Sequence, residues 1–224
     1  MSCIALIPAR GGSKGIPRKN IKPFYSKPLI YWSIKIALES KKIDRVIVST
    51  EDEEIADLAR SFSAEVPFLR PKRYATDYSS SIEPILHVLE KIPNIKDLLL
   101  LQPTSPLRRL EDIDGIFNQR YKFNSDSAVS ITKSKKPCEL FFQLDNNMKL
   151  FSSLNNLNIK PRQEYQDQFY LNGSLYLSTK ESILKNKSLI TSDTVGYIMP
   201  EKFSIDIDTP FDWIIAEFLM ENYL

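Results

Sequence analysis

Four consecutive leucines at positions 98–101 constrain this chain more than any other feature. A half-buried strand alternates apolar and polar residues, whereas an unbroken short apolar run fits a strand covered on both faces. Such strands belong to parallel sheets, and parallel neighbours need long crossover connections, usually helical. The chain supplies both. Residues 4–8 (IALIP), 45–49 (RVIVS), 65–69 (EVPFL) and 128–132 (AVSIT) read as further strands. Apolar residues at near-helical spacing over 28–39, 52–62, 80–92 and 110–121 place helices between them. Pro28 suits a first helical turn, and acids at 52–54 suit a helix N-terminus. This alternation predicts an α/β fold: a mainly parallel sheet with helices on both faces.

At 224 residues, one α/β domain spanning 1–224 is expected, long enough to bury a substantial core. The rhythm breaks at 133–171, which is polar, Asn-rich and irregular with short apolar pieces, and reads as an insertion. Strands resume at 174–178 and 194–199, and a helix over 211–223 closes the chain. The net charge of +2 gives no bulk attraction to nucleic acid or a membrane surface. No apolar run approaches the ~20 residues needed to span a bilayer. Two cysteines make no disulfide framework, so a cytoplasmic setting is expected.

The first strand runs into a loop, ARGGSKGIPRKN, that holds three of the six glycines, Gly11, Gly12 and Gly15. Glycine lets a ligand approach the backbone closely. Here it is interleaved with Arg10, Lys14, Arg18 and Lys19. Free N–H groups and four cations describe a polyphosphate cradle. It is neither a Walker A loop nor a G-x-G-x-x-G dinucleotide loop, because neither pattern can be read from its letters. A triphosphate also calls for a divalent metal, and Mg²⁺ takes oxygen ligands from one or two carboxylates. SIDIDTP offers Asp206 and Asp208, which in extended chain face the same side while Ile205 and Ile207 pack beneath.

The loop IPARGGSKGIPRKN resembles the nucleotide-binding loop of the CMP-sialic acid synthetases, the N-acylneuraminate cytidylyltransferases. Residues 69–77, 101–108 (LQPTSPLR), 161–163 (PRQ), 172–176 and 204–208 resemble the same family in the same order. The resemblance implies a Rossmann-like three-layer nucleotidyltransferase fold and transfer of CMP from CTP to a nonulosonic acid. Arg10, Lys19, Asn20 and Arg70 match nucleotide-binding positions, with Arg10 and Lys19 on the phosphates and Asn20 beside the cytosine; Ser13 and Lys14 are expected to line the same cradle, and Ser81 to reach the ribose or base. Gln102 and Arg162 match positions that hold the sugar acid, a site where an arginine fork suits the carboxylate. Asp206 and Asp208 match the metal-binding pair. Asp208 and a metal-held hydroxide are both candidates for taking the anomeric proton. The insertion at 133–171 is expected to reach a second subunit and form a homodimer.

Two positions depart from the family pattern. Glu139 stands where a lysine is often found, and Tyr170 where an arginine is often found two residues before Asn172–Gly173. Two accounts are open: other lysines such as Lys135 or Lys160 stand in, or the preferred sugar differs from the type substrate, N-acetylneuraminic acid, along its side chain, as legionaminic and pseudaminic acids do. Rival readings are a Kdo cytidylyltransferase, a sugar-1-phosphate nucleotidyltransferase and a non-catalytic nucleotide-sugar sensor. His87, the single histidine, sits on an apolar helical stretch and reads as structural. Cys138 has no partner at metal-ligand spacing, and Lys133, Lys135 and Lys136 read as a solvated face.

Overall fold

The computed structural model describes residues 2–76, 80, 82–152 and 160–223. Strand β1 (Ser2–Pro8) is followed by the small hairpin β2 (Pro23–Phe24) and β3 (Lys27–Pro28), then helix α1 (Leu29–Glu39). Next come β4 (Arg45–Ser49), α2 (Glu53–Ser61), α3 (Ile82–Lys91), β5 (Ile95–Leu101), α4 (Leu110–Lys122) and β6 (Ser127–Lys133). A second hairpin, β7 (Phe142–Leu144) and β8 (Leu150–Ser152), precedes β9 (Phe169–Thr179), α5 (Lys180–Asn186), β10 (Val195–Ile198) and α6 (Pro210–Tyr223).

Six strands form the central sheet in the order β10-β6-β9-β5-β1-β4. Strands β4, β1, β5, β6 and β10 run one way, and β9 runs antiparallel between β5 and β6. Successive side chains of a strand point to opposite faces, and β1 divides its residues accordingly. Ala5 and Ile7 join a core with α1, α2, α4 and α6, while Ile4 and Leu6 join a second core with α3 and α5. Leu98 and Leu100 face the second core and Leu99 and Leu101 the first, and all four are buried. The unbroken leucine run is thus the centre of a three-layer sandwich.

One expected strand is not formed. Residues 65–69 make only a single parallel bridge, Ile47 to Glu65, at the outer edge of β4. Glu65 N–H donates to the Val46 carbonyl at 2.8 Å, and the Glu65 carbonyl accepts from Val48 N–H at 2.9 Å. Two residues on, Pro67 has no N–H to continue the ladder. The 133–171 region contains the β7–β8 hairpin, with Phe141, Leu144, Leu150 and Phe151 exposed around it.

Following β1 the chain places β4 on one side of it, and after two further helices places β5 on the other. The winding reverses at β1, so the carboxyl ends of β1 and β5 splay apart and leave a crevice. The glycine-rich loop leaves β1 at this crevice, and Gln102 leaves β5 there.

Candidate active site

A cleft of about 450 Å³ opens at the carboxyl ends of β1 and β5. Of the residues singled out from the sequence, Arg10, Ser13, Lys19, Asn20, Arg70, Gln102, Asp206 and Asp208 all line it. They come from four separate stretches of chain, and the sheet topology is what brings them together. Lys14 is exposed on the loop and does not form part of this wall. Ser81 lies outside the described residues. Arg162 opens the short 3-10 turn Arg162–Glu164, and its neighbours Gln163 and Tyr165 line a different cavity together with Lys133 and Lys135.

The loop is held from several directions. Lys19 is buried; its Nζ donates to the Ile207 carbonyl at 2.5 Å and to Asp208 Oδ1 at 3.1 Å. This cation therefore ties the glycine loop to the acidic segment across the cleft. Asn20 Nδ2 donates to the Arg10 carbonyl at 2.9 Å, which spends one amide donor on loop shape. Gly15 packs on the Asp208 backbone so closely that a Cβ would run into the Asp208 carbonyl. Arg18, one of the four loop cations, turns away from the cleft. Its guanidinium binds Asp52 and Glu54 at the start of α2, and these acids hold its pKa above the ordinary value. Arg18 braces the loop.

Residues 204–208 form no strand; Ile207 is fully buried and Ile205 packs against the core. Ile207 N–H donates to the Thr104 carbonyl at 2.8 Å, docking the acidic segment on the loop after β5. Thr209 then caps α6: Thr209 N–H donates to Asp212 Oδ2 and Asp212 N–H to Thr209 Oγ1. Asp206 and Asp208 both face the cleft, but in different settings. The Asp208 side chain is largely exposed. Asp206 is partly buried, and its buried Oδ1 has no hydrogen-bond partner among the described residues. Burial raises the Asp206 pKa, the Asp208 charge adds to the rise, and Thr104, Lys19 and Arg108 oppose it. A buried carboxylate oxygen without a donor, beside a second accessible carboxylate, fits a hard cation that completes its shell with phosphate oxygens and water. The described residues hold no cluster of three or more His, Cys, Asp or Glu side chains, so an all-protein cage is not what this arrangement offers.

Two residues beneath the cleft carry more weight than their sequence context suggests. Arg108 reads equally well as a solvated helix-start residue, but it is 3% exposed. Its guanidinium donates to the Ser33 hydroxyl at 2.6 Å, to the hydroxyl and carbonyl of Ser174 at 3.2 Å each, and to the Gln102 carbonyl. No carboxylate pairs with it among the described residues. Burial pulls its pKa down to about 9 against the pull of Asp206 and Asp112, so it remains cationic at neutral pH. Gly173 sits in β9 at φ +75°, where a Cβ would lie 3.0 Å from Asp206 Oδ2 and 3.3 Å from Gln102 Oε1. The adjacent Asn172 is locked by Ser130 and Ser204. The Asn-Gly pair was visible in the sequence; the far-apart partners that give it meaning were not.

The chain has relatives among known proteins in both sequence and fold. Residues 4–222 match the model of the cytidylyltransferase family. This chain belongs to the cytidylyltransferase family. The cytidylyltransferase is 38% identical over 234 residues to the CMP-N,N'-diacetyllegionaminic acid synthase of Legionella pneumophila, covering 99% of this chain and 97% of that protein. It is 31% identical to the pseudaminic acid cytidylyltransferase of Campylobacter jejuni, covering 98% and 96%. To the N-acylneuraminate cytidylyltransferase of Escherichia coli O18:K1:H7 it is 34% identical over 95% of its length, and it spans about half of that relative (51%). Among solved structures it superposes on a CMP:2-keto-3-deoxy-manno-octonic acid synthetase complexed with CTP, with a TM-score of 0.77, 16% identity and full coverage of both chains. At that identity the likeness concerns the fold: the nucleotidyltransferase fold with its mostly parallel central sheet. Among the described residues, no helix of the cytidylyltransferase is long and apolar enough to cross a membrane.

Proposed function

We propose that this cytidylyltransferase transfers CMP from CTP to a nonulosonic acid, with the cleft at the ends of β1 and β5 as its active site. The observation that carries the reading is the meeting of nucleotide-type residues (Arg10, Lys19, Asn20, Arg70) with Gln102 and the Asp206–Asp208 pair around one cleft. The anomeric hydroxyl oxygen attacks the α-phosphorus, a new O–P bond forms, the bond to the β-phosphate bridging oxygen breaks, and pyrophosphate leaves with that electron pair. In this reading the exposed Asp208 carboxylate is the candidate on the chain for taking the anomeric proton. Arg10, Ser13 and the loop N–H groups bind the triphosphate. Lys19 faces the same space and neutralises charge as it grows on the phosphates. Asp206 and Asp208 would hold Mg²⁺, which when bound neutralises the triphosphate and the leaving pyrophosphate. Gln102 at the cleft and Arg162 from the 133–171 insertion bind the sugar acid, the Arg162 guanidinium pairing with the sugar's carboxylate. The exposed apolar hairpin of the 133–171 insertion serves as a homodimer contact, and the enzyme works in the cytoplasm.

Among nonulosonic acids, a diamino sugar of the legionaminic kind is favoured over N-acetylneuraminic acid. The support is the similarity to the L. pneumophila synthase together with the residues at the two departures. Glu139 accepts from Gln168 Nε2 at 2.8 Å, and Tyr170 is half exposed on β9. An acid and a phenol do not offer the charge-assisted bonds, roughly 1.5–3 kcal/mol each, that two cations would give an anionic sugar. The test is pyrophosphate release with each NTP across N-acetylneuraminic, legionaminic and pseudaminic acids and Kdo. The expected result is dependence on CTP and the highest kcat/KM with a diamino acid. Comparable turnover with ATP or GTP would refute the cytidylyltransfer reading. A preference for N-acetylneuraminic acid, unchanged in Glu139→Lys, would refute the sugar assignment.

A further inference from the structure

Glu51 is the first residue but one beyond β4 and reads in sequence as one more acid at the start of α2. In the structure it does something else. Its Oε1 accepts the backbone N–H of Gly11 at 2.7 Å, and its Oε2 accepts from Arg70 Nη2 at 2.7 Å. The pair is buried: the Arg70 side chain is 4% exposed and that of Glu51 13%. Arg70 is held a second time, because its own N–H donates to the Thr50 carbonyl at 2.7 Å. One carboxylate therefore bridges the glycine loop after β1 and the arginine from the segment after α2, and both line the nucleotide cleft through Arg70 and the neighbouring Gly12.

The electrostatics of this bridge decide what Arg70 can do. A guanidinium already paired with a buried carboxylate has little net charge to offer a phosphate. It keeps rigidly directed donors for a neutral acceptor, and removing its partner would leave a buried charge uncompensated. Arg70 Nε is buried and, among the described residues, has no hydrogen-bond partner, so one directed donor is still to be satisfied. In the proposed reading the loop cations Arg10 and Lys19 supply the phosphate charge, and Glu51 keeps Arg70 out of that role. We infer that Glu51 is a positioning residue for nucleotide recognition: it fixes Arg70 as a charge-neutralised, directed donor to the acceptor edge of the base and sets the glycine loop beside it. The inference rests on the proposed assignment of Arg70 to the nucleotide site. Cytosine presents acceptors at O2 and N3, whereas N3 of uracil carries a proton, so a fixed donor here separates the two bases.

Glu51→Gln isolates the Arg70 half of the bridge. The amide oxygen can still accept from Gly11 N–H, while the amide nitrogen meets Arg70 donor to donor. The measurement is the Kd of CTP and of UTP by isothermal titration calorimetry for the wild type, Glu51→Gln, Arg70→Ala and the double variant. Both single variants should weaken CTP at least tenfold and narrow the CTP-to-UTP ratio, and Glu51→Gln should add less than threefold in the Arg70→Ala background. A merely structural role would weaken both nucleotides alike. The inference is overturned if Glu51→Gln leaves CTP affinity within twofold, tightens it, leaves the CTP-to-UTP ratio unchanged, or multiplies the Arg70→Ala loss in full. If Arg70→Ala alone leaves CTP affinity unchanged, the nucleotide assignment of Arg70 itself falls, a different result from a normal Glu51→Gln beside an impaired Arg70→Ala. Should Glu51→Gln not fold, Glu51→Asp carries the same test, since one methylene less cannot span both donors.

Discussion

Replacing Gly173 by alanine tests whether the geometry under the cleft is functional. Two costs can be worked from the structure. The first is conformational: at φ +75° a residue with a Cβ is strained by about 1–2 kcal/mol relative to glycine. For a chain of this size each kcal/mol lowers Tm by roughly 2–4 °C, so a fall of about 2–8 °C is expected. The second cost is local. The new methyl would stand 3.0 Å from Asp206 Oδ2 and 3.3 Å from Gln102 Oε1, and both must give by a few tenths of an ångström. Asp206 has little freedom, because the next residue is fully buried and bonded to the Thr104 carbonyl. Gln102 is anchored by the Arg108 guanidinium on its own carbonyl. Displacing a carboxylate and an acceptor-side amide by that distance should reduce kcat/KM about 10- to 100-fold, or ~1.4–2.8 kcal/mol. Differential scanning fluorimetry and pyrophosphate release measure the two costs separately. Gly12→Ala is the control for stability, because open space surrounds that position. A normal Tm would refute the strain, and a lowered Tm with kcat/KM within twofold of wild type would refute the functional contact with Gln102 and Asp206.

Lys19→Ala should lower kcat by about 10- to 100-fold and raise the KM for CTP much less, because its contact strengthens as charge develops; a pure KM effect would reduce Lys19 to ground-state binding. Asp206→Asn should abolish most turnover yet melt at the same or a higher temperature at pH 7. The Asp206 pKa is raised by burial, so its stability contribution is greatest below the ordinary value of 3.8 and is lost as pH rises through the raised native value. The difference in Tm should therefore shrink as pH is lowered towards 4, and a variant markedly less stable than wild type at pH 7 would contradict this. Arg120→Met removes the guanidinium from a buried bidentate pair with Asp97, whose bonds are 2.8 and 3.0 Å, and strands that carboxylate. A loss of about 3–5 kcal/mol is expected in urea unfolding, and a loss below about 1 kcal/mol would show that Asp97 is relieved by water or protonation.

Much of the fold was written locally. Period-two alternation sent Ile4 and Leu6 to one core and Ala5 and Ile7 to the other, and the leucine run could satisfy itself only between two helical layers. The glycine loop was legible because glycine is scarce elsewhere, and the Asp pair because extended chain puts residues two apart on one side. Where local signals were weak or misleading, the reading was incomplete. Residues 65–69 carry strand-forming side chains, but Pro67 and the sheet edge reduce them to one bridge. The seven-residue helix α5 is too short for periodicity to stand out, and its best signal is the Thr179 cap on the Ser182 N–H. The turn between β2 and β3 uses Tyr25 and Ser26 at positive φ, in place of the Asn-Gly that usually marks such a hairpin.

The sequence by itself determined the α/β class, the place of the glycine-rich loop and the presence of an acidic pair at 206 and 208, because each depends on residues adjacent along the chain. Tertiary structure alone decided which of the loop cations line the cleft. Arg18 and Lys19 are neighbours, yet one is drawn to Asp52 and Glu54 on α2 and the other to Ile207 and Asp208. It also decided that Arg108 is buried and Glu51 bridges. The partners that satisfy them, Ser33 and Ser174 in one case and Gly11 and Arg70 in the other, are 19 to 75 residues away, and only the side-by-side packing of β4, β1, β5 and β9 brings them within hydrogen-bond distance. Charge and spacing along a chain fix which interactions a side chain can make; which one it makes is set by the groups the fold leaves without another partner.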